Sequence, residues 1–350
     1  MLNLLRRSIR MESQQNHAVD VSDVSHGAAA YRSVTYCTGG LISFPLDGGK
    51  FGLAPVWNDG KVEHTVLPSN HALAEATKNL GVQTVGTNQI IDDGIASTEI
   101  WRPRDSLMTN GLSGADTWAA ISTGAHLDKN DTYADAARYV SVSMQAAGVR
   151  LRDVAKCHHA QLIEALLRKK EVTVGFKNVP LLDLYVAFHS LASELCSARD
   201  HLVRIAALHV GAKESLDDMI RLEAWLKKEA NQHHAAEPLT KLLTSAWGTK
   251  ELPQWLRKLS DVRNQMVHRQ PLAANPAAAM LRLREATAPL VGTIKTIRLA
   301  PAPHDEKYLS LTPDPFETLL GYSERVQQLV IEASKLAHYR PTLMAFKSTA

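Results

Sequence analysis

The hydrophobic and polar positions change period once along the chain. Between residues 33 and 101 the apolar and β-branched residues come in short runs. Those at 33–44 and 51–57 flank Asp47-Gly48-Gly49, and a third at 61–67 alternates after a second turn at Asn58-Asp59-Gly60. Glycine tolerates the positive φ of tight turns, so these runs read as strands joined by hairpins. Residues 71–80 read as a short helix ended by Gly81, with further strands at 82–85 and 95–101.

From about residue 116 the apolar spacing shifts to the three- and four-residue steps of helices. Helices are predicted at 133–147, ended by Gly148, and at 151–170, where Leu151, Val154, Ala155, Leu162, Ala165 and Leu166 form one face. After an extended piece at 172–176, Pro180 opens a long helix at 181–210 that Gly211 closes. Shorter helices follow at 216–229 and at 239–247, the latter stopped by Gly248. Pro253 starts another, with Trp255, Leu256, Leu259, Val262, Met266 and Val267 as its apolar side. A helix at about 277–288, a proline-rich loop to 315 and a final helix at 316–338 complete the pattern.

The implied fold class is α+β, with a mainly α C-terminal helical bundle preceded by a smaller mixed α/β or β-rich region. The expected divisions are a disordered lead-in at 1–30, the mixed region at 31–115 and the bundle at 116–345.

Composition narrows the classes. Hydrophobic residues at 45% and charged residues at 21% of 350 describe a soluble globular protein. A net charge of +3 is too small for a protein that coats nucleic acid, and leaves room for a local RNA or phosphate site. Cys37, Cys157 and Cys196 are widely spaced with no C-x-x-C, which points away from a disulfide framework or zinc ribbon and towards the cytoplasm.

No apolar run is long enough to span a membrane, so no membrane association is expected. The acid-free start, MLNLLRRSIRM, fits either a weak organellar-targeting signal or translation from Met11. Phosphate-cradling glycine motifs are missing, and neither Ser106 nor Ser113 sits in a nucleophile elbow. The pairs His158-His159 and His233-His234 have no second ligand pair one helical turn away, so the expectation is no cofactor and no metal.

The chemistry-bearing stretch is Leu259-Ser260-Asp261-Val262-Arg263-Asn264-Gln265-Met266-Val267-His268-Arg269, with Pro271 ending the helix soon after. On a helix Asn264 and His268 share a face, while Arg263 lies about 140° from His268, within reach of its long stem. A histidine moves protons near neutral pH, a guanidinium clamps phosphate and an amide orients either, a set suited to phosphodiester cleavage without metal. The spacing itself recurs at Arg152/His158, Arg204/His209 and Arg298/His304. The Arg263 set differs in its polar neighbour, its helix end and the upstream helix carrying Glu194-Leu195-Cys196-Ser197-Ala198-Arg199-Asp200-His201.

On these residues the chain, over about 155–340, resembles the HEPN superfamily, all-helical domains marked by Arg-polar-x(3–5)-His late in a four- or five-helix unit. The resemblance implies a metal-independent endoribonuclease, of the kind that serves as a toxin or antiviral effector. His268 would be its general acid or base, Arg263 the stabiliser of phosphorane charge and Asn264 the orienting residue, supported by Arg199, Asp200 and Glu194.

It also implies RNA as substrate, a homodimer whose interface completes the cleft, and an antitoxin or other defence-operon partner. Gln270 stands where some toxin members carry a tyrosine modified by a nucleotidyltransferase, so that regulation is not implied. Other members are inactive, and the alternative expectation is a non-catalytic helical module binding a nucleotide, RNA or protein. In the ribonuclease reading, residues 31–115 recognise a trigger, substrate or partner.

Overall fold

The computed structural model describes residues 33–58, 60–92, 97–104, 108–109, 112–172, 174–213, 215–266, 280–300 and 314–343. It is an α+β fold: an N-terminal antiparallel sheet leads into a mostly helical C-terminal region. The sheet comprises β1 (Ser33–Cys37), β2 (Ile42–Pro45), β3 (Phe51–Asn58), β4 (Lys61–Leu67), β5 (Thr84–Asp92) and β6 (Ser97–Pro103), in the order β4-β3-β2-β1-β5-β6. Helix α1 (Asn70–Leu80) carries the chain from edge strand β4 over the sheet to β5. Ser69 starts α1 by accepting the Ala72 N–H, and Gly81 ends it at a φ of 66° that a Cβ would oppose. A two-residue pair, β7 (Met108–Thr109) and β8 (Leu112–Ser113), leads into the helices.

Seven α-helices follow among the described residues: α2 (Gly114–Leu127), α3 (Asp131–Leu167), α4 (Leu181–His209), α5 (Met219–Leu226), α6 (Pro238–Trp247), α7 (Trp255–Asn264) and α8 (Pro315–Ser334). The two helices expected on either side of Gly148 are one, α3, of 37 residues. An interior glycine costs about 1 kcal/mol, which packing offsets readily. Gly148 lies where α3 crosses the sheet edge, and a Cβ there would sit 3.7 Å from Pro103 and 4.0 Å from Trp101.

The helix expected at about 277–288 is a strand, β9 (Met280–Ala288), paired antiparallel with β10 (Gly292–Ala300). Leu281 and Leu283 alternate with Arg282 and Arg284, and the two leucines lie opposite Leu299 and Ile297, all four buried. That two-residue period, completed by a partner rich in threonine and isoleucine, outweighs the helix propensity of Ala, Leu, Arg and Glu. From the extended piece expected at 172–176, Val172 bridges to Leu283, and Phe176 and Leu281 exchange backbone bonds of 3.0 and 3.1 Å.

Helix α3 is the spine. One side meets the sheet, where Lys156 pairs with Glu99 at 2.8 Å and a His159 ring nitrogen lies 2.8 Å from the Gly40 carbonyl. Its other sides pack on α2, α4 and α8, and one continuous apolar core runs from Val34 and Leu53 in the sheet through Val154 and Leu162 to Leu319 and Val330. No described helix is long and apolar enough to cross a membrane.

Candidate functional site

The site is built where α7 crosses α4. Helix α7 buries Leu256 and Leu259 completely, with Met266 just past its end nearly so, which turns Ser260 towards α4 and leaves Arg263 and Asn264 half-buried at its C-terminal end. From α4, Arg199 comes up almost fully buried. Its guanidinium bonds the Ser260 hydroxyl and holds the neighbouring Asp200 carboxylate at 2.7 and 2.8 Å. Arginine's planar fork permits such simultaneous engagement.

Arg263 joins this group electrostatically. Burial raises the Asp200 carboxyl above its ordinary range, and the charges of Arg199 and then Arg263 oppose that rise. The Cys196 thiol, one helical turn earlier, is likewise raised by burial and pulled down by both arginines. Arg263 Nη1 donates to the Asn264 side-chain oxygen at 2.8 Å, so the arginine and amide act as one unit.

Trp247 at the end of α6 braces the cluster from behind. Its ring lies 5.7 Å from the Arg199 guanidinium carbon and 4.3 Å from that of Arg257, and its indole N–H donates to Glu223 at 3.1 Å. Burial works to raise the Glu223 carboxyl, yet bonds from Lys227, Arg257 and Trp247 take it down to about 2, so it stays ionised.

Of the residues singled out in the sequence, Arg199, Asp200, Arg263 and Asn264 thus meet at one place. Glu194 is half-buried on α4 and bonds none of them among the described residues. His268 lies outside the described residues. Ser260, Trp247 and Cys196 were not singled out as site residues. Ser260 stands three residues before Arg263, but only the α4–α7 crossing gives it a role.

The rival Arg-to-His spacings disperse. Arg152 turns to the sheet edge and pairs with Glu99 and Asp153, whereas His158 points into the core, 5.0 Å from the Phe316 ring. No described group bonds either His158 ring nitrogen. Burial pushes its imidazole down to about 4.

His209 takes other partners than Arg204. Its Nδ1 is 3.0 Å from Glu237 and its Nε2 is 3.0 Å from the Tyr133 hydroxyl, which also accepts the His338 backbone N–H at 3.2 Å. This carboxylate–imidazole–hydroxyl chain has the order of a catalytic relay. However, Tyr133 is 2% exposed and the hydroxyl has both roles filled, so the chain works as a clasp joining α3, α4, α6 and the segment after α8. Burial also holds Tyr133 protonated.

Among the described residues no group of three or more His, Cys, Asp or Glu side chains is placed to hold a metal ion. No protein-family model, curated protein or solved structure matches the chain.

Proposed function

We propose that this protein is a cytoplasmic endoribonuclease of HEPN type that cleaves RNA without metal. The observation that carries the reading is the meeting of Arg199 and Asp200 from α4 with Ser260, Arg263 and Asn264 from α7 at the end of the helix that leads to His268. A buried, braced arginine behind a half-buried one is a preorganised cationic end for a phosphodiester, at little reorganisation cost when the substrate arrives. Three free cysteines accord with a reducing compartment.

The reaction assigned to the site is transesterification. His268 as general base takes the proton of the ribose 2′-hydroxyl, and the 2′ oxygen attacks the adjacent phosphorus. Arg263 bears the negative charge of the pentacovalent phosphorane, and Asn264 holds that guanidinium in line. The P–O5′ bond then breaks and a protonated histidine, supplied by the second copy of the chain in a homodimer, returns the proton to the leaving oxygen. The products are a 2′,3′-cyclic phosphate and a 5′-hydroxyl. In this reading a toxin or antiviral-defence role follows from indiscriminate damage to RNA, and an antitoxin or other defence-operon partner would restrain it.

The test uses end-labelled RNA and the same strand with 2′-deoxy sugars, incubated with full-length protein in excess chelator. Wild type should cut only the ribose strand and leave cyclic phosphate ends, and His268→Ala should not cut it. Cleavage that persists in His268→Ala, or that also cuts the deoxy strand, would remove the assignment.

A further inference from the structure

A second site lies in the sheet, apart from α4 and α7. Strand β1 is interior to the sheet, and its side chains alternate between two faces. Tyr36 points to the α3 side, where its ring lies 6.0 Å from His159, which puts Ser33, Thr35 and Cys37 on the opposite face. Thr35 stands beside Ser43 on one neighbour and Thr87 on the other, bonding the Thr87 hydroxyl at 2.9 Å.

Helix α1 contacts β3 and β4 and leaves a cleft of about 620 Å³ between itself and β1. That is ample for a small metabolite. The described lining holds five hydroxyl side chains, two amides, the cations Lys78 and Arg104, and no carboxylate.

The lining is also polarised end to end. Lys78 sits in the last turn of α1, which leads through Gly81 and Gln83 to Thr84, the register partner of Cys37. Arg104 arrives there from β6, its backbone N–H donating to the Val85 carbonyl at 2.8 Å, and its charge acts on the Cys37 thiol. Burial nonetheless pushes that thiol up to about 12, so Cys37 is a neutral wall and not a nucleophile. The far end, by Ser33, Ser43, Phe51 and Asn70, is uncharged.

We infer that this cleft binds a small sugar phosphate, its phosphate at the Lys78–Arg104 end and its neutral, hydroxylated body along Ser33, Thr35 and Ser43. Two cations of different geometry suit one anionic group, and adjacent hydroxyls that both donate and accept suit a sugar. The inference stands apart from the ribonuclease reading, since it shares no residue with that site.

Isothermal titration of the full chain with ribose 5-phosphate, and with ribose as the uncharged control, tests it. Binding of the phosphate ester but not of ribose is expected, and the exposed-site variant Lys78→Gln should weaken it about tenfold with no change in thermal unfolding. Arg104→Gln, checked for folding by its thermal transition, should weaken it at least as much. No heat from ribose 5-phosphate at millimolar concentration, or wild-type affinity in both variants, would overturn it.

Discussion

His158 and Asp314 show how far a side chain's chemistry departs from its sequence context. In the sequence His158 belongs to an Arg-to-His spacing as good as any other, yet α3 rotates it into the core beside Phe316. Asp314 caps α8 by accepting the Phe316 N–H at 2.8 Å, and burial pushes its carboxyl up to about 7. The two titrations oppose each other.

The unfolded chain protonates His158 first on acidification, so its contribution is full above about pH 6.5 and is lost as pH falls towards 4. The native state keeps the Asp314 proton longer, so its contribution is full below about pH 4 and is lost as pH rises through 7. His158→Leu, which replaces an imidazole lacking described partners, should therefore gain stability over wild type as pH falls from about 6.5 to 4. Asp314→Asn, which keeps the cap oxygen, should gain as pH rises from about 4 to 7. Each difference should be on the order of 3–4 kcal/mol in urea unfolding. Parallel curves for wild type and both variants would contradict these assignments.

Helix and strand signals were legible where local chemistry decides. The turn at Asp47-Gly48-Gly49 has φ of 71° and 74° at its glycines, and Gly81 and Gly211 end helices at φ of 66°. The misses were tertiary. Gly148 is a stop signal that sheet packing overrides, and β9 is a helix-prone segment that β10, Val172 and Phe176 hold extended. The site was legible in part: Arg199 and Arg263 were marked on separate helices, but the crossing that joins them through Ser260 has no local signature.

The β9–β10 connection also carries a defect the sequence hides. Val291 N–H bonds back to the Ala288 carbonyl at 3.3 Å around Pro289 and an exposed Leu290 at φ 66°. That is the turn position where glycine is preferred. Leu290→Gly should raise stability by about 0.5–1 kcal/mol, read as a higher Tm in thermal unfolding. An unchanged or lower Tm would show that the hairpin is not limited by this residue.

The long α3 ties the sheet, with its hydroxyl-lined cleft, to the bundle that carries the α4–α7 site, and the core is continuous across them. Each chain supplies one Arg263–Asn264 pair, whereas the proposed chemistry asks for an acid and a base on opposite sides of the phosphate. Sedimentation should therefore give twice the chain mass of 38.4 kDa under conditions where RNA is cut. A monomer that cleaves at full rate would rule out a site shared between copies.

The role of α7 comes down to separating chemistry from architecture in its two arginines. Arg199 is buried and paired, so Arg199→Ala should lose about 2–3 kcal/mol in urea unfolding, short of a fully buried pair because Asp200 keeps some water. Arg263 is half-buried at a helix end, so Arg263→Ala should stay within about 1 kcal/mol of wild type. The deciding measurement is the single-turnover rate of RNA cleavage in chelator by Arg263→Ala, taken beside its unfolding curve. A loss of about 10²- to 10⁴-fold with the fold intact is the predicted result, and a wild-type rate from that intact variant would contradict it.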